Sequence, residues 1–306
     1  MRMGVYAIEP GCLSASAAID KANFARKQVH SNTRVSAVQF DKKLEVKQTQ
    51  TLTGELLSGL PQALENGEFK LYLQPKFSPK DLSVIGAEAL TRWIKPDGTV
   101  VYPDQFIPIL ESTGRIVELD LYIFEQVAQF LQRNAQAGHR LLPIAVNASA
   151  VLAREDAPTQ EYSEILEKHN ISARMLEIEL TETAVVSEYD RVKRLLSSFQ
   201  SDGMQTSLDD FGAGGSLLNN MVDIPVNTIK LDKLFLTRCS SNTRGTDFLR
   251  EIVHLVKRLG YNVICEGIET EEQVQLLRSL DCDGAQGFWF SKAIPAEEFE
   301  RRYLCD

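Results

Sequence analysis

The chain has 306 residues with a formal charge of −9, and 43 % of them are hydrophobic. That length buries a large core and suits one large domain plus an extra piece. An acidic balance with no basic block argues against a broad surface for duplex nucleic acid, although bound metal ions can reverse the local sign for an anionic substrate.

The first 65 residues stand apart from the rest. MGVYAI reads as a strand, SASAAIDKANFARKQV (14–29) as a helix with Ala and Ile on one face, and RVSAVQF (34–40) as a second strand. TGELLSGLPQALENGE (53–68) reads as a linking helix, broken or bent near Pro61. Two strands and one helix cannot bury a core of their own, so this segment reads as the end of a domain whose beginning is missing.

From residue 68 the text alternates between short apolar runs and longer segments of helical period. The predicted strands are FKLYLQP (69–75), VIGAEALTRW (84–93), LLPIAVNAS (141–149), LEIELTE (176–182), QTSLDD (205–210), TIKLD (228–232), NVICEG (262–267) and GAQGFWF (284–290). Helical text lies between most of them. In TDFLREIVHLVKRLG (246–260), Phe248, Ile252, Leu255 and Leu259 recur at helical spacing and Gly260 suits a C-cap. EEQVQLLRSL (271–280) has Thr270 as its N-cap. A short turn joins the first two strands, which makes them candidates for an antiparallel pair. The strand–helix repeat that follows predicts a (β/α) barrel of roughly 240 residues.

The five cysteines, Cys12, Cys239, Cys265, Cys282 and Cys305, form no C-x-x-C pair and read as reduced thiols of a cytoplasmic protein. The four histidines, His30, His139, His169 and His254, are widely spaced, which argues against histidine-based metal chemistry. No apolar run is long enough to cross a bilayer, and no signal peptide is expected.

Strand side chains alternate between faces, and that alternation sorts the polar residues. With Leu176, Ile178 and Leu180 facing outward, Glu177, Glu179 and Thr181 face into the barrel. The same rule turns Glu88, Asn147, Asp209, Lys230, Asp232, Glu266 and Gln286 inward, at or near the C-terminal ends of different strands. Barrel active sites lie at that end. One acid at a strand end is ordinarily a solvated terminus, but carboxylates crowded at one rim repel unless cations hold them. An all-oxygen set without His or Cys suits Mg²⁺ or Mn²⁺. In TSLDDFGAGGSLL (206–218), Asp209 points into the mouth and Asp210 opens a loop that Gly212, Gly214 and Gly215 allow to turn back. One carboxylate can then bridge two ions about 3.5–4 Å apart, a clamp suited to phosphodiester attack.

AEALTRW (87–93), VNAS (146–149), ELTE (179–182), DDFGAG (209–214), KLD (230–232), CEGIET (265–270) and AQGFWF (285–290) occur in order. Together they resemble the EAL family of cyclic di-GMP phosphodiesterases, over about residues 53–306. The resemblance implies a modified TIM barrel with one antiparallel strand, two Mg²⁺ or Mn²⁺ ions, and opening of cyclic di-GMP to linear pGpG. It implies that Glu88, Asn147, Glu179 and Asp209 hold the first metal and that Asp209 and Asp210 hold the second, with Glu266 and Gln286 close by. Lys230 would orient or deprotonate the attacking water. Arg92, Gln74, Asp232 and Gln286 would meet the substrate, and Glu182 and Glu269 would act as anchors, Glu182 for the loop after Asp210.

The sequence departs from the family pattern at GSL (215–217), where an aromatic and two serines are usual, at Lys76, where an aliphatic residue is common, and at Ala293, where proline is usual. The segment GVYAIEPG with AIDKANFARKQ resembles the end of a GGDEF domain. The expected organisation is therefore a GGDEF-like remnant over 1–45, a linker helix over 46–68 and the barrel over 69–306. A homodimer with its contact near 211–218 is also implied. Two other functions compete with hydrolysis. One is a receptor that binds cyclic di-GMP without cleaving it. The other is an enolase-type lyase, which also pairs a lysine with strand-end acids but lacks these motifs.

Overall fold

Eight strands close on themselves in chain order: β1 (Phe69–Phe77), β2 (Val84–Ile94), β3 (Ile144–Asn147), β4 (Leu176–Thr181), β5 (Gln205–Phe211), β6 (Thr228–Leu231), β7 (Asn262–Cys265) and β8 (Gly284–Ala285). The computed structural model describes residues 3–8, 18, 22, 25, 26, 37–39, 41–154, 159–212, 221–240 and 242–305. They fall into two compact units, Met1–Pro61 and Gln62–Asp306.

In the first unit, Met3–Val5 pairs in parallel with Ala37–Gln39, and the rest of the second expected strand, 34–36 and 40, lies outside the described residues. Most of the helix expected over 14–29 lies outside the described residues. The linking helix starts earlier than expected and is not broken at proline: it runs from Lys42 to Glu65 with Pro61 inside. Proline removes one helical N–H, and so late in a long helix that loss does not end it.

In the second unit, strands β2 to β8 are parallel and β1 runs against both of its neighbours. The short β1–β2 turn dictates this, because parallel neighbours need a long crossover. The fold is thus a closed barrel with one antiparallel strand. Five expected strands are shorter in the structure, β4 and β6 by one residue, β3 and β7 by more, and β8 most conspicuously, since it stops at Ala285. After it, Gly287 sits where a Cβ would come within 2.2 Å of the Ile268 backbone. That close approach turns the GFWF stretch into a tight bend, with Phe290 and Ser291 donating their N–H groups to the Gly287 carbonyl.

The helices cover the barrel's outer face. Ile116–Gln136 buries Leu119, Ile123, Phe124, Val127 and Leu131. Thr243–Arg258 buries Leu249, Ile252, Val253 and Val256; of the expected stripe through Phe248, Ile252, Leu255 and Leu259 only Ile252 is buried, the others being 51 %, 43 % and 40 % exposed. Both stripes read as apolar, and packing on the barrel chose between them. Gly260 takes φ +94° just past that helix, and Thr270 caps Glu271–Ser279 by accepting the Gln273 N–H.

Strand β1 is the seam of the barrel, and an aromatic cluster closes it. Phe69 stacks on Trp93 with ring centroids 5.2 Å apart and meets the edge of Phe106 at 5.5 Å. Phe69 and Phe106 are fully buried. Phe69→Ala should therefore cost about 3–5 kcal/mol of stability, read from urea unfolding, and a loss under about 1 kcal/mol would mean the seam is held elsewhere.

Candidate active site

Parity along the strands delivers one polar side chain from each of several strands to the barrel mouth. At its centre is the Lys230 ammonium, wholly buried. It lies 2.8 Å from Glu179, 2.6 Å from Glu266, 3.2 Å from Asp209 and 3.3 Å from Glu88. Glu88 also accepts from Gln286 at 2.7 Å and from Asn147 at 3.0 Å. Six of the expected site residues, Glu88, Asn147, Glu179, Asp209, Glu266 and Gln286, thus converge with Lys230 on one spot.

Asp209 and Asp210 are adjacent in β5, so a regular strand would point them to opposite faces. The chain avoids this with a bulge. Pairing of β5 with β6 slips between Leu208 and Phe211, and Asp210 takes the left-handed backbone, φ +57°. The strand continues through Phe211, so the turn-back comes from the bulge rather than from the glycine loop after it. Asp209 accepts the Asp210 N–H at 2.8 Å, a bond that aspartate forms readily beside a left-handed residue. Gly214 and Gly215 lie outside the described residues.

Two sets of oxygens result, Glu88 with Glu179 and Asp209, and Asp209 with Asp210 and Glu266, each within 4.8 Å. Asp209 belongs to both. Just outside, the Gly212 N–H donates to Glu182 at 2.9 Å, which ties the end of β5 to the helix that follows β4. Glu182 therefore holds the end of β5.

The charges are poorly matched without a cation. Burial would raise Glu179, but Lys230 and Lys76 lower it to about 2. Asp209 goes the other way: burial, with Glu179, Glu266 and Glu88 beside it, outweighs Lys230 and pushes it to about 8. Burial also raises Glu266 and Asp210. Burial disfavours the Lys230 ammonium, yet its four carboxylates lift it well above an ordinary lysine, so it donates hydrogen bonds and is no base in this arrangement. The Gln286 Oε1 is buried with no partner. Surplus carboxylates and an orphaned carbonyl oxygen fit a hard divalent cation, which takes oxygen ligands.

Residues 58–293 match the profile of the EAL domain. The chain belongs to the EAL domain family. Among curated relatives, this EAL chain is 34 % identical over 255 residues to the signaling protein YkoW of Bacillus subtilis, covering 83 % of the chain and 32 % of that protein. It is 32 % identical over 291 residues to the cyclic di-GMP phosphodiesterase NbdA of Pseudomonas aeruginosa, covering 94 % of the chain and 37 % of that protein. It therefore spans about a third of the length of these relatives. Among solved structures, the PaMucR phosphodiesterase in complex with c-di-GMP superposes with a TM-score of 0.73 at 31 % identity, over 80 % of this chain and 99 % of that one.

The other expected residues of the EAL barrel are more scattered. Gln74 lies opposite Glu88 in register and lines a cleft of about 160 Å³ with Glu266, Gln286, Lys233 and Phe288. A larger cavity of about 800 Å³ lies away from the chemistry, between Leu64, Phe69, Tyr122 and Arg133, and none of the clustered acids lines it. Arg92 is on the same face of β2 as Glu88, four residues nearer the solvent, with its guanidinium over Tyr72 and Tyr102 at 5.6 Å and 5.5 Å. Asp232 lies one residue past β6: its Oδ1 accepts the N–H groups of Leu234 and Phe235, and its charge stands close enough to Asp210 to help raise it. Glu269 forms an ordinary exposed ion pair with Lys233.

Lys76 entered the sequence analysis only as a departure from the family pattern, and Asp120 and Glu111 were not picked out at all. Lys76 bonds Glu179 and Glu177 inside the barrel. Its signal was a lysine in an otherwise apolar stretch of strand. Asp120, on the buried face of Ile116–Gln136, accepts the Ser149 N–H at 3.0 Å, while the Ser149 hydroxyl donates to Glu111 at 2.9 Å. These bonds fix the loop that follows Asn147. Burial raises Asp120 to about 7.

Asp209 gives a pH-dependent prediction. With its carboxyl at about 8 in the metal-free fold, it is mostly protonated at neutral pH and ionised well above that. A divalent ion held by Asp209 would bind the carboxylate, so its uptake would expel the proton. Mn²⁺ titrated by calorimetry in buffers of different ionisation heat should release most of one proton at about pH 7 and almost none at about pH 9.5. Equal release at both values would contradict this assignment.

Proposed function

We propose that this chain hydrolyses cyclic di-GMP to linear 5′-pGpG. The observation that carries the reading is the pair of carboxylate sets sharing Asp209 around Lys230 at the barrel mouth. The names of its relatives support it, as does the superposition on PaMucR. Glu88, Asn147, Glu179 and Asp209 would hold one Mg²⁺ or Mn²⁺, and Asp209 with Asp210 a second. Two such ions supply an activated water and neutralise charge on the phosphodiester. Water attacks phosphorus, the P–O3′ bond breaks, and a 5′-phosphate and a 3′-hydroxyl remain.

The chain's own groups do the rest. Lys230 keeps its proton and donates to the attacking oxygen or to the phosphate. Glu266 and Gln286 hold water against the cluster. Gln74 lies in the cleft beside the acids, and Arg92 faces the same side nearer the solvent, where a phosphate or base of the substrate would reach it. Glu182 keeps the end of β5 in place, and Asp232, which caps the helix after β6, stands near Asp210, where the substrate would reach it. The competing reading is a receptor that binds cyclic di-GMP without turnover, favoured by the way Lys230 fills the centre of the acid cluster.

The setting is also proposed. Alignment to NbdA over 94 % of the chain reaches into the residues before the EAL match, and we read those residues, from the motif GVYAIEPG with AIDKANFARKQ, as a GGDEF-like tail. Among the described residues no helix is long and apolar enough to cross a membrane. We place the barrel in the cytoplasm, with any sensory domain upstream. A homodimer fits the exposed Leu234 and Phe248 on the helices after β6. Its expected contact at 213–218 lies outside the described residues.

Incubation with cyclic di-GMP and Mn²⁺ should release pGpG, detected by chromatography, and excess EDTA should abolish it. Binding without product would establish the receptor reading instead. Asp209→Asn should lose more turnover than Asp210→Asn, and each should lose about a hundredfold or more. Turnover at the wild-type level in either variant would show the site to be misplaced.

Lys230→Ala in saturating Mn²⁺ should lower turnover by about a hundredfold or more while substrate binding is largely kept. Lys230→Arg should recover little, because a planar fork cannot occupy one point between four carboxylates. Recovery by arginine would reduce the lysine to a charge balancer.

A further inference from the structure

Lys76 is a second buried cation below the first. It stands on β1 and is 3 % exposed. Its ammonium reaches inside the barrel to β4, where it lies 2.8 Å from Glu179 Oε1 and 3.3 Å from Glu177 Oε2. Lys230 takes the other oxygen of Glu179, Oε2, also at 2.8 Å. Both oxygens of this carboxylate are therefore committed to ammonium groups. Glu177 lies two residues toward the N-terminal end of β4, deeper in the barrel, and its Oε1 is buried with no partner.

We propose that Lys76 is a positioning residue that lowers the affinity of the site for divalent metal. The role rests on the metal-dependent reading given above. Two effects act in the same direction. Lys76 occupies Glu179 Oε1, so Glu179 can offer a metal only its Oε2, and a two-oxygen grip is closed to it. The ammonium also places a fixed positive charge on the far side of the carboxylate that a cation must share, in a region that water does not screen.

One effect opposes them. A tether holds Glu179 still, and preorganisation favours binding. But Glu179 is wholly buried in the packed barrel, so little freedom is left for the tether to remove. Charge and the lost oxygen therefore dominate. In functional terms, the site loads at a higher free metal concentration than it would with an apolar side chain at residue 76, and turnover follows the metal supply.

The test measures Mn²⁺ binding to the full chain by calorimetry at about pH 8.5, without substrate, so that carboxyl protonation contributes little. Lys76→Met keeps the length of the side chain and removes its charge. Lys76→Met with Glu177→Gln also removes the acid left behind, which guards against loss of fold from a buried unpaired carboxylate.

Lys76→Met should bind Mn²⁺ about tenfold more tightly, about 1.4 kcal/mol. The double variant should shift the same way by a smaller factor, because Glu177 lies farther from the metal than Lys76 does. A purely structural lysine would lower urea stability and leave Mn²⁺ affinity where it was. Unchanged or weaker affinity in both variants overturns the role of Lys76 while leaving the metal site standing. A wild-type chain that takes up no Mn²⁺ removes the site and this role with it.

Discussion

One buried ammonium organises the mouth of this barrel. Lys230 touches acids from β2, β4, β5 and the end of β7. Taking a lysine out of water is expensive, and so is packing four carboxylates together. Each cost is tolerable only because the other group is present. Even so, one lysine cannot balance four acids, and the raised Asp209 and Glu266 record what is left over. The cluster is therefore poised to take up further positive charge, and this imbalance, more than any single side chain, makes it a site.

The backbone had to adapt to produce that cluster. Glu88, Asn147, Glu179 and Lys230 reach the mouth through plain alternation, but β5 must aim two consecutive aspartates the same way. The bulge at Asp209–Asp210 does so at the expense of one slipped pairing and one left-handed non-glycine residue. Glu182 then anchors Gly212 directly behind it. Gly212 at φ +94° lies where a Cβ would come within 2.5 Å of the Phe235 ring, so this corner admits no side chain. Local strain, anchor and glycine together form one device for holding Asp210 beside Asp209.

Charge is distributed in two layers. The upper layer meets the solvent and carries Glu88, Asn147, Asp209, Asp210, Glu266 and Gln286. The lower layer holds Lys76, which is buried, and Glu177, which is partly exposed. Glu179 connects the two, with one oxygen on each lysine. The Asp120–Ser149–Glu111 bonds do a similar job outside the barrel, fixing the loop after Asn147 through backbone rather than through charge.

Much of this was legible in the sequence. Period-two alternation named the inward acids, because a strand offers only two faces. The short β1–β2 turn required antiparallel pairing, since no crossover fits in it. The stop at Ala285, the buried stripe of Thr243–Arg258 and the early start of Lys42–Glu65 were not legible, because each depends on which neighbour packs against it. Asp232 has a second role that alternation does not reveal, because it lies one residue past β6 and accepts N–H groups of the helix that follows.

The sequence by itself determined which residues could face the barrel's interior, and with them the chemistry of the site: oxygen ligands, one lysine and no histidine. Only the tertiary structure decided how those charges share one another. Whether Lys76 pairs with Glu177 or Glu179, whether Glu179 keeps a free oxygen, and whether Asp209 holds a proton all depend on distances between strands far apart in the chain. Coulomb energy varies with those distances and with burial, and neither is written in the order of residues.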